Sequence, residues 1–211
     1  CFAVAAPVTG EAIVFTNSPW RFERGSLQKA LGLDDLVVVN DFHALAAGAE
    51  SLAGDGLQVI KKGAGDLAAP KIVIGPGTGF GQSLIVPCAG GRRIVATQGG
   101  HVAFAPRTDE EIELLKHLRK EFGRVSLERI LCGAGLVNIY RALSNKKGVE
   151  PKAKTPSEIT NRAVSKTDEI APATLDLFFA ILGRAAANAV IGTGARGGVY
   201  LGGGILPKIA D

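Results

Sequence analysis

The chain has 211 residues, 46% of them apolar and 21% charged, with a net charge of +4. That is enough apolar material to bury the core of one large or two small domains, and no apolar run approaches the ~18 residues of a membrane span. The basic residues sit in short clusters at 92–93, 116–124 and 146–154, the second mixed with acids, and aromatic residues do not interleave with them as a single-strand nucleic-acid binder requires. No basic segment runs into an apolar stretch as in a signal peptide, so a cytoplasmic protein is expected. Cys1, Cys88 and Cys132 are odd in number and lack metal-ligand spacing, which reads as free thiols in a reducing compartment.

Along the chain, short β-branched or apolar runs at 2–6, 13–15, 37–39, 72–74, 84–86 and 199–201 predict strands, and helical segments separate several of them. This is an α/β pattern. The run VVVNDF places Asn40 and Asp41 where a buried strand ends and the helix FHALAAGAE begins. Ligands gather at the carboxyl ends of strands in open α/β sheets, so a carboxylate there is placed for acid/base work; equally, either residue could simply cap the helix.

Residues 71–81, KIVIGPGTGFG, open a β-branched run into Gly75, Gly77, Gly79 and Gly81 with Thr78 among them. Uncovered backbone N–H groups and a hydroxyl suit the oxygens of a polyphosphate, whereas the same pattern also serves a tight hairpin. The strand-like QSLIV that follows favours a glycine hairpin over a dinucleotide-binding turn, and no Gly-Lys-Ser/Thr follows at P-loop spacing. After the strand-like RIVAT come Gln98, Gly99, Gly100 and His101; the histidine could hold a hydroxylated ligand or act as a structural donor in a turn.

Thr108 with Glu111, and Thr155 with Glu158, have capping-box spacing, and Pro156 takes the first helical position of the second. Leu115, Leu118 and Phe122 share a helix face that Gly123 is placed to end. Glu128 falls in the first turn of an expected helix SLERIL, where the helix dipole alone would account for its charge. Residues 144–154 read as an exposed loop, and a long helix is expected over 173–190, with Phe178 and Phe179 assigned to core. Gly202, Gly203 and Gly204 then repeat the strand-then-glycine arrangement, open to a nucleotide's base or sugar or to close packing. The strand-like start and the helical stop at Asp211 suggest a piece of a longer protein.

Taken in order, TNSPW, VVVNDF, GPGTGFG, TQGGHVAFAPRTDEE, SLERILCGAGLVNIYRAL and GGVYLGGGILP resemble bacterial-type glucokinases, the ATP-dependent hexokinase family with the actin-like ATPase (ribonuclease H-like) α/β fold. The resemblance covers nearly the whole chain. It implies two lobes with a sugar/ATP cleft, an incomplete small lobe over 1–51 and a large lobe over 52–211. It also implies Asp41 as catalytic base toward the 6-hydroxyl of glucose, and Asn40, Gln98, His101 and Glu128 as sugar-binding positions. Gly75, Gly77, Thr78 and Gly79 match the second phosphate loop, and Gly202 and Gly203 the adenosine-contacting motif. Glucose, ATP and Mg²⁺ are the implied partners, with no protein metal site, no nucleic acid, no membrane and room for a homodimer. Two departures stand out: Gln98 occupies the position of a family glutamate, and the family's amino-terminal Asp-x-Gly-Gly-Thr-Asn loop, whose aspartate helps position Mg²⁺, is missing. A non-catalytic sugar-binding or truncated interaction protein on the same fold is therefore the alternative, and a nucleotide enzyme of unrelated chemistry a third.

Overall fold

The short apolar runs become strands, and the amphipathic segments between them become helices, in a computed structural model that describes residues 1–15, 18–52 and 56–209. Thr16 and Asn17 of the TNSPW motif lie outside the described residues. Contacts group the chain into two units, one comprising Cys1–Val73, Ser83–Thr97 and Arg196–Tyr200, the other Ile74–Gln82, Gln98–Ala195 and Leu201–Asp211.

In the first unit, β1 (Phe2–Val4) pairs in parallel with β4 (Val38–Asn40), Val4 opposite Asn40, and β2 (Ala12–Val14) pairs antiparallel with β3 (Arg21–Glu23). Their inward side chains, Val4, Ile13 and Val38, bury a small core with Ala6 and Leu36. β3 and the short helix α1 (Arg24–Ala30) were not expected from the sequence, because RFERGSLQKA carries little apolar periodicity and α1 buries no residue. Helix α2 (Asp41–Ala49) follows β4 directly, and its buried Ala46 and Ala49 pack with Val73 and Ile85. At its end Glu50 receives Lys71 Nζ at 2.8 Å and also pairs with Arg92. Burial pushes the Glu50 carboxyl up, but these two cations outweigh it and hold it below the usual range.

A four-stranded sheet has the order β7-β6-β5-β8, with β5 Lys71–Pro76, β6 Phe80–Cys88, β7 Gly91–Thr97 and β8 Gly198–Leu201. β5 is buried from Ile72 to Pro76, as its unbroken apolar run predicts for a strand covered on both faces.

The second unit is built on helices. α3 (Asp109–Phe122) starts on Thr108, whose hydroxyl accepts from Glu111 N, and stops at Gly123, whose φ of +65° a side chain would strain. α5 (Pro156–Val164) starts on Thr155 in the same way. α4 (Gly133–Lys146) and α6 (Ile170–Thr193) pack against each other and against α5 around Leu136, Ile139, Tyr140, Phe178 and Ile181. Phe178 is core, as expected, whereas Phe179, also expected in the core, is exposed, because it lies on the side of α6 turned away from the buried face.

α6 is longer than the expected 173–190. Asp168 Oδ1 accepts from Ile170 N at 2.8 Å and Ala171 N at 3.3 Å, supplying the cap, and Pro172 is tolerated because first-turn N–H groups have no acceptor within the helix. By length and composition this helix could cross a membrane, contrary to the sequence expectation, yet its Ile170, Thr174, Leu177, Phe178 and Ile181 face lies in the core with α4 and α5.

Two further expectations are corrected. The helix expected over SLERIL is only a 3₁₀ turn, Leu127–Arg129, because Ser126 is held in a bridge to Ala103 and Leu127 N donates to Val102 O. And α4 runs through Lys146, with Ser144 fully buried, so the exposed connection begins later than residue 144.

Candidate active site

The glycine stretch forms a hairpin, β5 passing to β6 through Gly77, Thr78 and Gly79. Gly77 N donates to Gly79 O at 2.8 Å, which closes the turn, and Gly77 O accepts from Gly133 N at 3.1 Å at the start of α4. Thr78 at the tip is exposed. The glycines divide by purpose. A Cβ on Gly75 would collide with the Gly202 carbonyl, and one on Gly203, already at φ +89°, would collide with the Pro76 carbonyl, so these serve close approach of backbone to backbone. A Cβ on Gly79 would instead meet the carboxylate of Glu128.

Glu128 thus reaches the hairpin from the 3₁₀ turn. Its Oε2 accepts from Phe80 N at 3.0 Å, and its Oε1 stands 3.8 Å from His101 Nδ1. Its side chain remains 26% exposed and that of His101 48%, so both keep polar atoms available to a ligand.

His101 ends the turn that begins at Gln98. His101 N donates to Gln98 O at 3.0 Å, and Arg124 donates to the His101 carbonyl at 2.6 Å, anchoring the turn from beyond the end of α3. Gly99 lies against the side-chain amide of Gln82 and Gly100 against the Phe80 carbonyl, both too close for a Cβ. Gln98 itself is exposed. The second unit therefore brings Gly77, Thr78, Gly79, Gly99, His101 and Glu128 into one region, with Gly202 and Gly203 against β5.

Arg124 and Gln82 were missed by sequence reasoning, since no local pattern marks a side chain that braces a backbone far along the chain. The same holds for Arg184 on α6, which pairs with Glu111. Glu111 is only 1% exposed; its Oε2 also accepts from Arg107 N at 2.8 Å, so the expected capping box doubles as an anchor for α6. Burial lowers the Arg184 guanidinium below its usual value, with the nearby Arg107 charge acting in the same direction. Beside this pair lies a cavity of about 190 Å³ lined by Gln82, Gly99, Phe104, Leu127, Arg184 and Asn188.

Asn40 and Asp41 belong to the first unit. Asn40 Oδ1 accepts from Phe42 N at 3.1 Å, so the capping role holds, and Asp41 Oδ1 accepts from the same N–H at 3.0 Å. Burial raises the Asp41 carboxyl above its ordinary 3.8, against the lowering effect of hydrogen bonds from Phe42 N, its own backbone and Asn40. A half-buried carboxylate of raised basicity at a strand end is chemically suited to accept a proton. Among the described residues, no three His, Cys, Asp or Glu side chains gather as a metal centre would require.

A sequence model of the Glucokinase family matches residues 1–211, the whole chain. The chain belongs to the glucokinase family. A glucokinase of Hahella chejuensis is 46% identical over all 211 residues, and the chain spans 66% of that protein's length, about two thirds. Among solved structures, a glucokinase from an Antarctic psychrotroph matches 99% of the chain and 65% of its own length at TM-score 0.85 and 37% identity. A ROK family glucokinase from Streptomyces griseus, solved in complex with glucose and AMPPNP, shares the fold at TM-score 0.60 and 20% identity, covering 93% of the chain and 64% of its own length. The α/β architecture is accordingly the actin-like, ribonuclease H-like kinase fold.

Proposed function

We propose that the protein containing this chain transfers the γ-phosphoryl group of ATP to the 6-hydroxyl of glucose in the cytoplasm. The observation that carries the reading is the contact of Glu128 with both His101 and the Gly77–Gly79 hairpin, within a glucokinase-family chain. His101, Glu128, Gln98 and Asn40 hold the sugar's hydroxyls. Asp41 takes the 6-hydroxyl proton as that oxygen bonds to the γ-phosphorus, and the bond to the β-phosphate oxygen breaks to release ADP. Thr78 and the backbone of Gly75, Gly77 and Gly79 receive phosphate oxygens, and Gly202 and Gly203 the adenosine side. Residues 1–51 form part of the small lobe and 52–211 the large lobe. Mg²⁺ enters with the nucleotide, since a hard cation with few protein carboxylates takes most of its oxygens from phosphates and water.

Phosphoryl transfer through a loose transition state depends on positioning and charge stabilisation, which fits a site made of hydrogen-bond donors and one base. The direct test is ADP release by the full-length protein with ATP and Mg²⁺, with and without glucose. Glucose-dependent release supports the reading. Sugar binding without ADP release would favour a non-catalytic sugar binder, the alternative that Gln98 motivates, and ATP turnover indifferent to glucose would reject both.

A further inference from the structure

We infer that Glu128 is a positioning residue for the nucleotide's phosphate hairpin as well as a sugar ligand, so that one carboxylate links the two substrate subsites. This rests on the glucokinase reading of the site. One oxygen of the carboxylate, Oε2, accepts from Phe80 N at 3.0 Å, the first residue of β6 after the hairpin. The other, Oε1, faces His101 at 3.8 Å. Gly79 has no room for a side chain because the same carboxylate occupies that space.

The other side of the hairpin is held by the same stretch of chain. Gly77 O accepts from Gly133 N, and Gly133 opens the helix five positions after Glu128. The hairpin is therefore clamped at Gly77 and at Phe80 by residues 128–133, and the Phe80 clamp is the one whose acceptor also touches the sugar turn. A sugar hydroxyl that donates to Glu128 shifts the placement of the group holding Phe80 N, and a phosphate drawing on the hairpin shifts the same hydrogen bond from the other end. Linkage then makes the two affinities depend on each other by the same factor.

A residue that only bound sugar would leave nucleotide affinity untouched when no sugar is present. AMPPNP binding to the full-length protein is measured by calorimetry in the absence of glucose, for wild type and three variants. Glu128→Ala removes the acceptor and Glu128→Asp withdraws it by one methylene; both are expected to weaken AMPPNP by about tenfold, within the usual range of site-to-site coupling. Glu128→Gln keeps an oxygen for Phe80 N and turns its amide toward His101, so AMPPNP affinity stays within about twofold of wild type while glucose affinity falls. Should Glu128→Ala fail to fold, the aspartate variant decides alone. Unchanged AMPPNP affinity in the folded Ala or Asp variant overturns the inference and leaves the glucokinase reading standing. A wild-type protein that neither binds AMPPNP nor releases ADP with glucose overturns both.

Discussion

Asn40 and Asp41 are adjacent in the chain and owe their placement to one strand end and one helix start, whereas Glu128 meets Phe80 across 48 positions. The first arrangement is local, so its geometry follows from VVVNDF alone. The second depends on Ser126 bridging to Ala103, Arg124 bracing the His101 carbonyl and Gly133 clamping Gly77; these residues are neighbours of Glu128 in the chain, but each of their partners lies far from it in sequence. The two regions also place their carboxylates differently. Asp41 is half-buried beside its own helix start, while Glu128 is held in position by accepting from Phe80 N, with His101 Nδ1 3.8 Å from its other oxygen.

The largest expected effect separates chemistry from folding in the first region. Asp41→Asn should lower kcat by on the order of 10² to 10⁴-fold. In wild type the acid limb of kcat/KM should fall at a pH above the ordinary aspartate value of 3.8, since the base must be ionised and burial raises its pKa. Stability should move the opposite way. A folded-state pKa raised above the unfolded one means that stability is lost as pH climbs through that interval, so Asp41→Asn should melt higher than wild type at pH 7, with the advantage gone below about pH 3.8. A variant less stable than wild type at pH 7 would show that its hydrogen bonds outweigh burial.

In the second region, Gly203→Ala should cost about 2 to 3 kcal/mol of stability, because it adds strain at positive φ to a collision with the Pro76 carbonyl. Chemical denaturation measures it, and a loss under about 0.5 kcal/mol would show that the backbone approach can relax. If the Gln98–His101 turn binds the sugar, Gln98→Glu places a charged acceptor on it and should tighten glucose binding by roughly 1 to 2 kcal/mol. An unchanged dissociation constant would remove Gln98 from the sugar-binding set.

An effect of similar size lies away from both regions. Tyr140 Oη donates to Asp168 Oδ2 at 2.5 Å, and that carboxylate caps α6. Burial pushes Asp168 up, but the hydrogen bonds from Tyr140, Ile170 N and Ala171 N prevail and hold it below 3.8. Its contribution is complete above 3.8 and is lost as pH falls through the depressed folded value. Tyr140→Phe should therefore cost about 1 to 2 kcal/mol at pH 7, with the gap to wild type closing in strong acid. A gap constant with pH would mean that the loss is packing alone.

The sequence carried most of the fold because the signals were short-range. Thr108 with Glu111, Thr155 with Glu158, and Gly123 each act within one helical turn, and the apolar run of β5 needs no partner to be recognised. The sequence misleads for two different reasons: Ser126 is held by the distant Ala103, which limits SLERIL to a 3₁₀ turn, whereas α6 is lengthened locally, by the Asp168 carboxylate accepting from Ile170 N and Ala171 N. The site resembles the first case. Only the family resemblance singles out Glu128, which spacing alone reads as a first-turn acid; its grip on Phe80 N depends on how β5 and β6 turn back beside it.

We propose Asp41 as the base and Asn40, Gln98, His101 and Glu128 as the sugar ligands of a glucose kinase. Rapid-quench measurement of glucose 6-phosphate formation by the full-length wild type and Asp41→Asn, paired with calorimetric glucose binding, tests it most directly. If Asp41 is the base, the transfer step in Asp41→Asn is slowed by at least about a hundredfold while glucose still binds. Glucose 6-phosphate forming equally fast in both proteins would contradict it.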